Sequence, residues 1–143
     1  MEQLITNDDK LKYCQLCVDN YGDCIDIAIN IFNLPYYSMN EKKIDKEYDK
    51  YSQPAIQAKK DKDLILENKI LDKAIKAKIT IPYVYLRKAK LLKGDKLYEE
   101  SIKVCNKWLS NNEMWKTPNT AKTTIDIIKI KEKCESILNI TSK

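Results

Sequence analysis

The fold is decided by residues 82–109, which read PYVYLRKAKLLKGDKLYEESIKVCNKWL. A proline at the first position suits the first turn of a helix, and apolar residues then recur at helical spacing. A Lys-Gly-Asp turn at 93–95 interrupts this series, and a second apolar series follows it. The pattern therefore predicts two antiparallel helices, over 82–92 and 97–109, with Gly94 as the helix-ending residue.

The same pattern occurs once earlier in the chain, at an offset of 34 residues. When residues 48–75 are aligned with this stretch, seven of 28 positions are identical. Two of the identities, Tyr51 with Tyr85 and Ala55 with Ala89, fall on the inner face of the first helix of each copy. The alignment predicts a second helical hairpin directly before the first.

The first copy leaves its own helix boundaries open. Pro54 stands either inside its first helix or at the start of a helix that Ser52 caps. Lys60 takes the place of the turn glycine of the second copy. Residues 53–78 therefore form either a hairpin or one long helix.

Thirty-four residues is the period of the tetratricopeptide repeat, and residues 48–110 resemble a pair of such repeats. Ala89 stands at the small-residue position where the helices of a repeat touch, and Tyr98 and Ser101 match positions of the second helix. Trp108 departs from the pattern, since the family has alanine there. The resemblance implies an all-α fold of antiparallel helical hairpins, in which the first helix of each repeat lines a concave groove.

The resemblance also implies a partner-binding surface along these first helices. Its groove-facing positions are Tyr83, Leu86, Arg87 and Lys90 in the second copy, and Ser52, Gln53 and Ile56 in the first. Tyrosine and arginine are frequent anchors of protein interfaces. We therefore predict a non-catalytic protein–protein interaction module that binds a peptide or a protein surface through a helical-repeat groove.

Helices are also predicted on both sides of the repeat pair. Thr6 and Asp9 form a capping-box pattern, and an apolar stripe then runs from Leu11 to Phe32, as one helix or broken at Gly22. This stripe packs inside the chain or forms a homodimer seam. A closing helix over 119–138 would cover the other end of the core.

The charge is divided unevenly along what we expect to be a single domain over 1–143. Residues 1–40 carry two lysines and six acidic residues, a net charge of −4, whereas residues 41–143 have a net charge of +9. A lysine-rich nucleic-acid binder is therefore an alternative function. It is less favoured because specific contacts to bases and phosphates depend on arginine, and Arg87 is the only arginine of the chain.

The composition argues against an enzyme. The chain has no histidine and two glycines, which excludes histidine-based catalysis and glycine-rich phosphate loops. Cys14, Cys17 and Cys24 have a zinc-like spacing, but they also fit the buried stripe of a helix and indicate reduced core thiols. We therefore expect no catalytic residues, no metal and no cofactor.

The cellular context is predicted from two further features. The N-terminal residues do not follow the pattern of a secretory leader, and no apolar run is long enough to cross a membrane. We expect a cytoplasmic protein without a membrane partner. Its small size and its richness in lysine, asparagine and isoleucine suggest another alternative: a phage or mobile-element inhibitor or adaptor that acts on a host protein, such as a defence enzyme.

Overall fold

The computed structural model describes residues 6–19, 41–110 and 120–141 of the chain. Those residues contain no strand, so the predicted all-α class is confirmed. The helices are α1 (Asn7–Asp19), α2 (Glu41–Glu47), a π-helix (Tyr48–Ser52), α3 (Gln53–Lys60), α4 (Leu64–Lys76), α5 (Pro82–Gly94), α6 (Tyr98–Leu109) and α7 (Ala121–Thr141). Each helix from α3 to α6 packs against the next one in the chain, and α7 also packs against α1 and α5.

The hairpin predicted over 82–109 is present as α5 and α6, and a second hairpin, α3 and α4, precedes it. Each hairpin turn is closed by three backbone hydrogen bonds, and the bonds of the two turns are 34 residues apart. They run from the N–H groups of Asp61, Lys62 and Asp63 to the carbonyls of Gln57, Lys59 and Ala58, and from those of Asp95, Lys96 and Leu97 to the carbonyls of Leu91, Lys93 and Leu92. Residues 53–78 therefore do not form one long helix.

The left-handed residue of each turn is a lysine. Lys62 has a φ of 58° and Lys96 a φ of 64°, at a position where helix ends usually carry glycine. Gly94 lies two residues before Lys96, as the last residue of α5, and a Cβ added to it would meet no atom within 4 Å. Gly94 is thus the last residue of the helix, but the predicted turn at 93–95 is wrong: the turn lies at residues 95–97, and the left-handed conformation falls on Lys96.

We expect Lys62→Gly and Lys96→Gly each to raise the free energy of unfolding by about 1 kcal/mol, because glycine adopts a positive φ without the steric cost of a Cβ. Urea unfolding followed by far-UV circular dichroism measures the change. Lys60→Gly is the control: Lys60 is the last residue of α3, and glycine in a helix lowers stability by up to about 1 kcal/mol. A loss of stability in both turn variants would contradict the turn geometry.

A short π-helix joins α2 to α3, and Pro54 explains it. Proline has no N–H, and its ring clashes with the carbonyl four residues earlier, so the regular helical bond cannot form at this point. The N–H of Gln53 bonds instead to the carbonyl of Tyr48, five residues back. Ser52 consequently lies inside a continuous helical segment and makes no side-chain cap bond. Of the two predicted alternatives, the structure therefore has Pro54 inside a helical segment, and the alternative with a Ser52 cap is wrong.

The N-terminal helix α1 begins with the predicted capping box. The N–H of Asp9 donates to Thr6 Oγ1 at 3.1 Å, and the N–H of Thr6 donates to Asp9 Oδ2 at 3.3 Å. The next side chain, Lys10, donates from Nζ to the carbonyl of Leu109 at 2.8 Å. This bond places a positive charge at the C-terminal end of α6, where the helix dipole favours it, and ties α1 to the second hairpin.

The buried face of α1 differs in part from the predicted stripe. Tyr13, Cys14 and Cys17 belong to the core, whereas Val18 is 40% exposed. Because α1 packs against α7 within the chain, these three side chains supply internal contacts. The rest of the stripe from Leu11 to Phe32, beyond residue 19, lies outside the described residues, and the homodimer seam stays a prediction.

Trp108 is the side chain at which α5, α6 and α7 meet. It is fully buried, its indole N–H donates to Thr124 Oγ1 at 2.9 Å, and its ring centroid lies 5.3 Å from that of Tyr85. The closing helix α7 extends past the predicted end at residue 138 and contributes the buried residues Ala121, Thr124, Ile125, Ile127, Ile128, Ile130 and Cys134. The departure at Trp108 from the tetratricopeptide pattern thus lies in the core.

Candidate functional site

Helix α5 places four of the predicted site residues on one face. Leu86 and Arg87 lie three and four residues after Tyr83, and Lys90 lies four and three residues after them, so the helix aligns the four in a single stripe. The first three are half-buried, and Lys90 is exposed. This stripe, which we call the α5 face, is therefore partly covered by protein and partly open to solvent.

The guanidinium of Arg87 is held by a carboxylate of α4. Its Nε lies 2.7 Å from Glu67 Oε2, and its Nη2 lies 3.1 Å from Glu67 Oε1. The Glu67 side chain is 1% exposed, and that of Arg87 is 20% exposed. The hydrogen bond with Glu67 raises the pKa of Arg87, although burial acts in the opposite direction. Because lysine cannot make this two-bond contact, the pair explains why a lysine-rich chain has arginine at this position.

Tyr83 lies beside this ion pair. Burial raises the pKa of the Tyr83 phenol, the charge of Arg87 lowers it, and the charge of Glu67 raises it. Tyr83 stands one helical turn before Arg87, on the same side of α5, so the phenol and the ion pair belong to the same stretch of the helix.

A second polar link lies alongside this ion pair. Lys88 Nζ is 2.9 Å from Asn68 Oδ1 and 3.1 Å from Asp72 Oδ1. Lys88 follows Arg87 directly, and Asn68 follows Glu67 directly. Two successive residues of α5 thus bind two successive residues of α4, which fixes how the two helices lie against each other.

Glu67 is the residue that the sequence reasoning misses. It aligns with Ser101 at the offset of 34 residues, and both are buried. One signal was present: Glu67 lies four residues before Leu71 and seven before Ala74, on the inner face of the helix. A buried carboxylate needs a charged or hydrogen-bonding partner, and the only arginine of the chain is the residue that can bind it through two bonds.

The three predicted site residues of the first copy lie in different surroundings. Ser52 is 1% exposed, and its hydroxyl has no hydrogen-bond partner in the described part of the chain. Gln53 is exposed, and Ile56 is half-buried. Ser52 is the last residue of the π-helix, and Gln53 and Ile56 belong to α3. Helix α3 packs on the π-helix and α4, whereas α5 packs on α4, α6 and α7. Ser52 is therefore enclosed by protein. The helices that carry these three residues both pack on α4, which in turn packs on α5.

The cysteines in the described residues are core side chains. Cys14, Cys17, Cys105 and Cys134 are buried free thiols, and Cys24 lies outside the described residues. Burial raises the pKa of Cys105 to about 12, and burial strongly raises the pKa of Cys14 as well. Across residues 6–19, 41–110 and 120–141, no group of three or more side chains is placed to hold a metal ion.

We expect the four buried thiols to react with Ellman's reagent only when the protein opens, because burial blocks access of the reagent to all of them and raises the pKa of Cys14 and Cys105. In a Cys24→Ser variant at pH 8, labelling of the native protein should be slower than that of the urea-unfolded protein by a factor on the order of 100 or more. The absorbance of the released thiolate measures both rates. Rapid labelling of the native variant would contradict the burial of these cysteines.

Among the described residues, no helix is both long enough and apolar enough to cross a membrane.

The tetratricopeptide resemblance stays a prediction that depends on the 34-residue pattern of the sequence. Comparison of the chain with protein-family models, with curated proteins and with solved structures finds no match.

Proposed function

We propose that the chain is a non-catalytic protein–protein interaction module that binds a peptide or a protein surface through the α5 face. The observation that best supports this is the half-buried Tyr83 beside a guanidinium that Glu67 already holds in place. A side chain that is fixed before binding loses little conformational entropy when the partner arrives. Tyrosine and arginine are also the residues that most often anchor protein interfaces.

The charge distribution of the α5 face favours an uncharged acceptor at its centre. Glu67 balances the charge of Arg87 and accepts hydrogen bonds from its Nε and from one N–H of its Nη2. The N–H groups of Nη1 are left for a partner, and a peptide carbonyl is the acceptor that suits a balanced ion pair. The Tyr83 ring offers contact area to an apolar side chain, and the exposed Lys90 suits a carboxylate at the rim.

We expect Tyr83→Ala to weaken partner binding by about tenfold or more, because it removes the ring next to the fixed guanidinium. The partner is captured from an extract of the source organism with the immobilised chain and purified, and its affinity is measured by calorimetry. Tyr48→Ala is the matched control, since Tyr48 is 44% exposed and lies in the π-helix, off the α5 face.

The two tyrosine variants also define the result that contradicts the proposal. Equal losses of affinity in Tyr83→Ala and Tyr48→Ala, or no loss in Tyr83→Ala, would exclude the α5 face as the binding surface. Tyr83→Phe keeps the ring, so its affinity for the partner reports how much the hydroxyl contributes to binding. Far-UV circular dichroism of every variant checks that the helices are intact.

A further inference from the structure

The first turn of α4 exposes three consecutive apolar side chains. Leu64 is 53% exposed, Ile65 85% and Leu66 44%, and Leu97, directly before α6, is 49% exposed. Single exposed apolar residues are common, but a group of them marks an interaction surface. Three-residue turns join antiparallel neighbouring helices, so the α3–α4 and α5–α6 turns lie at the same end of the two hairpins.

The charges around these two turns have opposite signs. The windows 59–66 and 93–100 are equivalent at the offset of 34 residues, and their net charges are +1 and −1. The first window has three lysines and two aspartates, and the second has two lysines and three acidic residues, with Glu99 and Glu100 aligned with Ile65 and Leu66. We call these segments the basic window and the acidic window.

The acidic groups of the basic window are engaged within the chain, while its lysines are not. Asp61 Oδ1 accepts a hydrogen bond from Gln57 Nε2 at 3.0 Å, and Asp63 Oδ1 accepts one from the N–H of Leu66 at 3.1 Å. The exposed lysines at 59, 60 and 62 form no ion pair with another described residue. The window therefore presents positive charge around its apolar side chains.

The acidic window presents carboxylates beside its own apolar residue. Glu99 and Glu100 are exposed in the first turn of α6. Glu100 lies 3.3 Å from Lys103 within the chain, while Glu99 forms no ion pair with a described residue. Leu97 stands next to them, so apolar area and negative charge occur together.

We propose that a second copy of this chain covers this end, with the basic window of one copy on the acidic window of the other. Because each copy carries both windows at the same end, a two-fold axis forms the contact twice. The exposed leucine and isoleucine side chains lose water in the contact, and the charges set its register. The apolar area is small, so the dimer is weak and reversible.

Sedimentation equilibrium of the full chain tests this contact. Ile65→Asp is expected to lower the association constant by about tenfold or more, because it places a charge in the apolar centre. The double variants Lys59→Glu with Lys60→Glu, and Glu99→Lys with Glu100→Lys, are each expected to weaken association by a similar factor, because like charges then face each other.

The decisive experiment measures association in a mixture of the two charge-reversed variants. In a mixed dimer both contacts again pair opposite charges, so we expect an equimolar mixture to associate as strongly as the wild-type chain. The two variants have formal net charges of +1 and +9, against +5 for the natural sequence. Overall attraction between the molecules therefore cannot produce the recovery.

The control for charge change alone is Lys122→Glu with Lys129→Glu, two exposed positions of α7, which should leave association unchanged. Tyr83→Ala should also leave self-association unchanged. The dimer contact and the partner-binding α5 face are therefore tested independently, and either proposal can be wrong while the other is right. A wild-type chain that stays monomeric at high micromolar concentration overturns the proposal. Undiminished association of the charge-reversed variants also overturns it and would indicate a Leu11–Phe32 seam instead. Failure of the equimolar mixture to associate overturns it as well. A monomer that pellets with phosphatidylserine vesicles in an Ile65-dependent manner assigns this end to lipid instead.

Discussion

Trp108→Ala is expected to lower the free energy of unfolding by about 3–5 kcal/mol, a large share of the ~5–15 kcal/mol that holds a domain together. The indole is fully buried, packs against Tyr85 and donates its N–H to Thr124. Alanine leaves a cavity where α5, α6 and α7 meet, and it removes the hydrogen bond to the Thr124 hydroxyl. Urea unfolding followed by far-UV circular dichroism measures the loss.

Two further variants separate the cavity from the hydrogen bond. Trp108→Phe keeps most of the volume and is expected to cost about 1–3 kcal/mol, because the buried Thr124 hydroxyl loses a partner. Adding Thr124→Val should recover part of that loss, since the polar group is then absent. If Trp108→Ala costs less than about 1 kcal/mol, the indole does not have the central place in the core described above.

Arg87→Met is expected to lower the free energy of unfolding by about 3 kcal/mol, because it leaves the carboxylate of Glu67 buried without a counter-charge. The Glu67 side chain is 1% exposed, and both of its oxygens bond to Arg87. Methionine keeps the length and the apolar stem of the arginine, so the loss reports on the charge. Thermal and urea unfolding of the purified variant measure it.

A double variant and a neighbouring lysine complete this test. Arg87→Met with Glu67→Leu should recover most of the stability, because a buried ion pair and an apolar pair of similar volume often differ little. Lys88→Met is the matched control and is expected to cost less than about 1 kcal/mol, since its partner Asp72 is 62% exposed. Equal losses in Arg87→Met and Lys88→Met would contradict the buried pair.

The helical hairpins are predictable from the sequence because their signals are local. Pro82 suits a first helical turn, and α5 begins there. Thr6 and Asp9 are three residues apart, and they form the capping box that this spacing predicts. The 34-residue offset predicts equivalent turns, and the hydrogen bonds of the two turns repeat at that offset.

The surroundings of single site residues are not predictable in the same way. Ser52 is a residue type that often caps helices, yet the hydrogen-bond pattern that Pro54 imposes keeps it inside a helical segment. Arg87 looks like a surface anchor by its position, yet a carboxylate twenty residues earlier holds it. In both cases the deciding contact comes from backbone or side chains that helical periodicity does not describe.

By itself, the sequence determines the all-α class, the hairpin over 82–109 and the start of α1, because helix spacing, capping and turn formation depend on neighbours a few residues away. Only the tertiary structure decides that Glu67 is enclosed and paired with Arg87, that α7 closes over Trp108, and that Leu64–Leu66 stay exposed. Burial depends on which helices pack together, and residues distant in sequence make that choice.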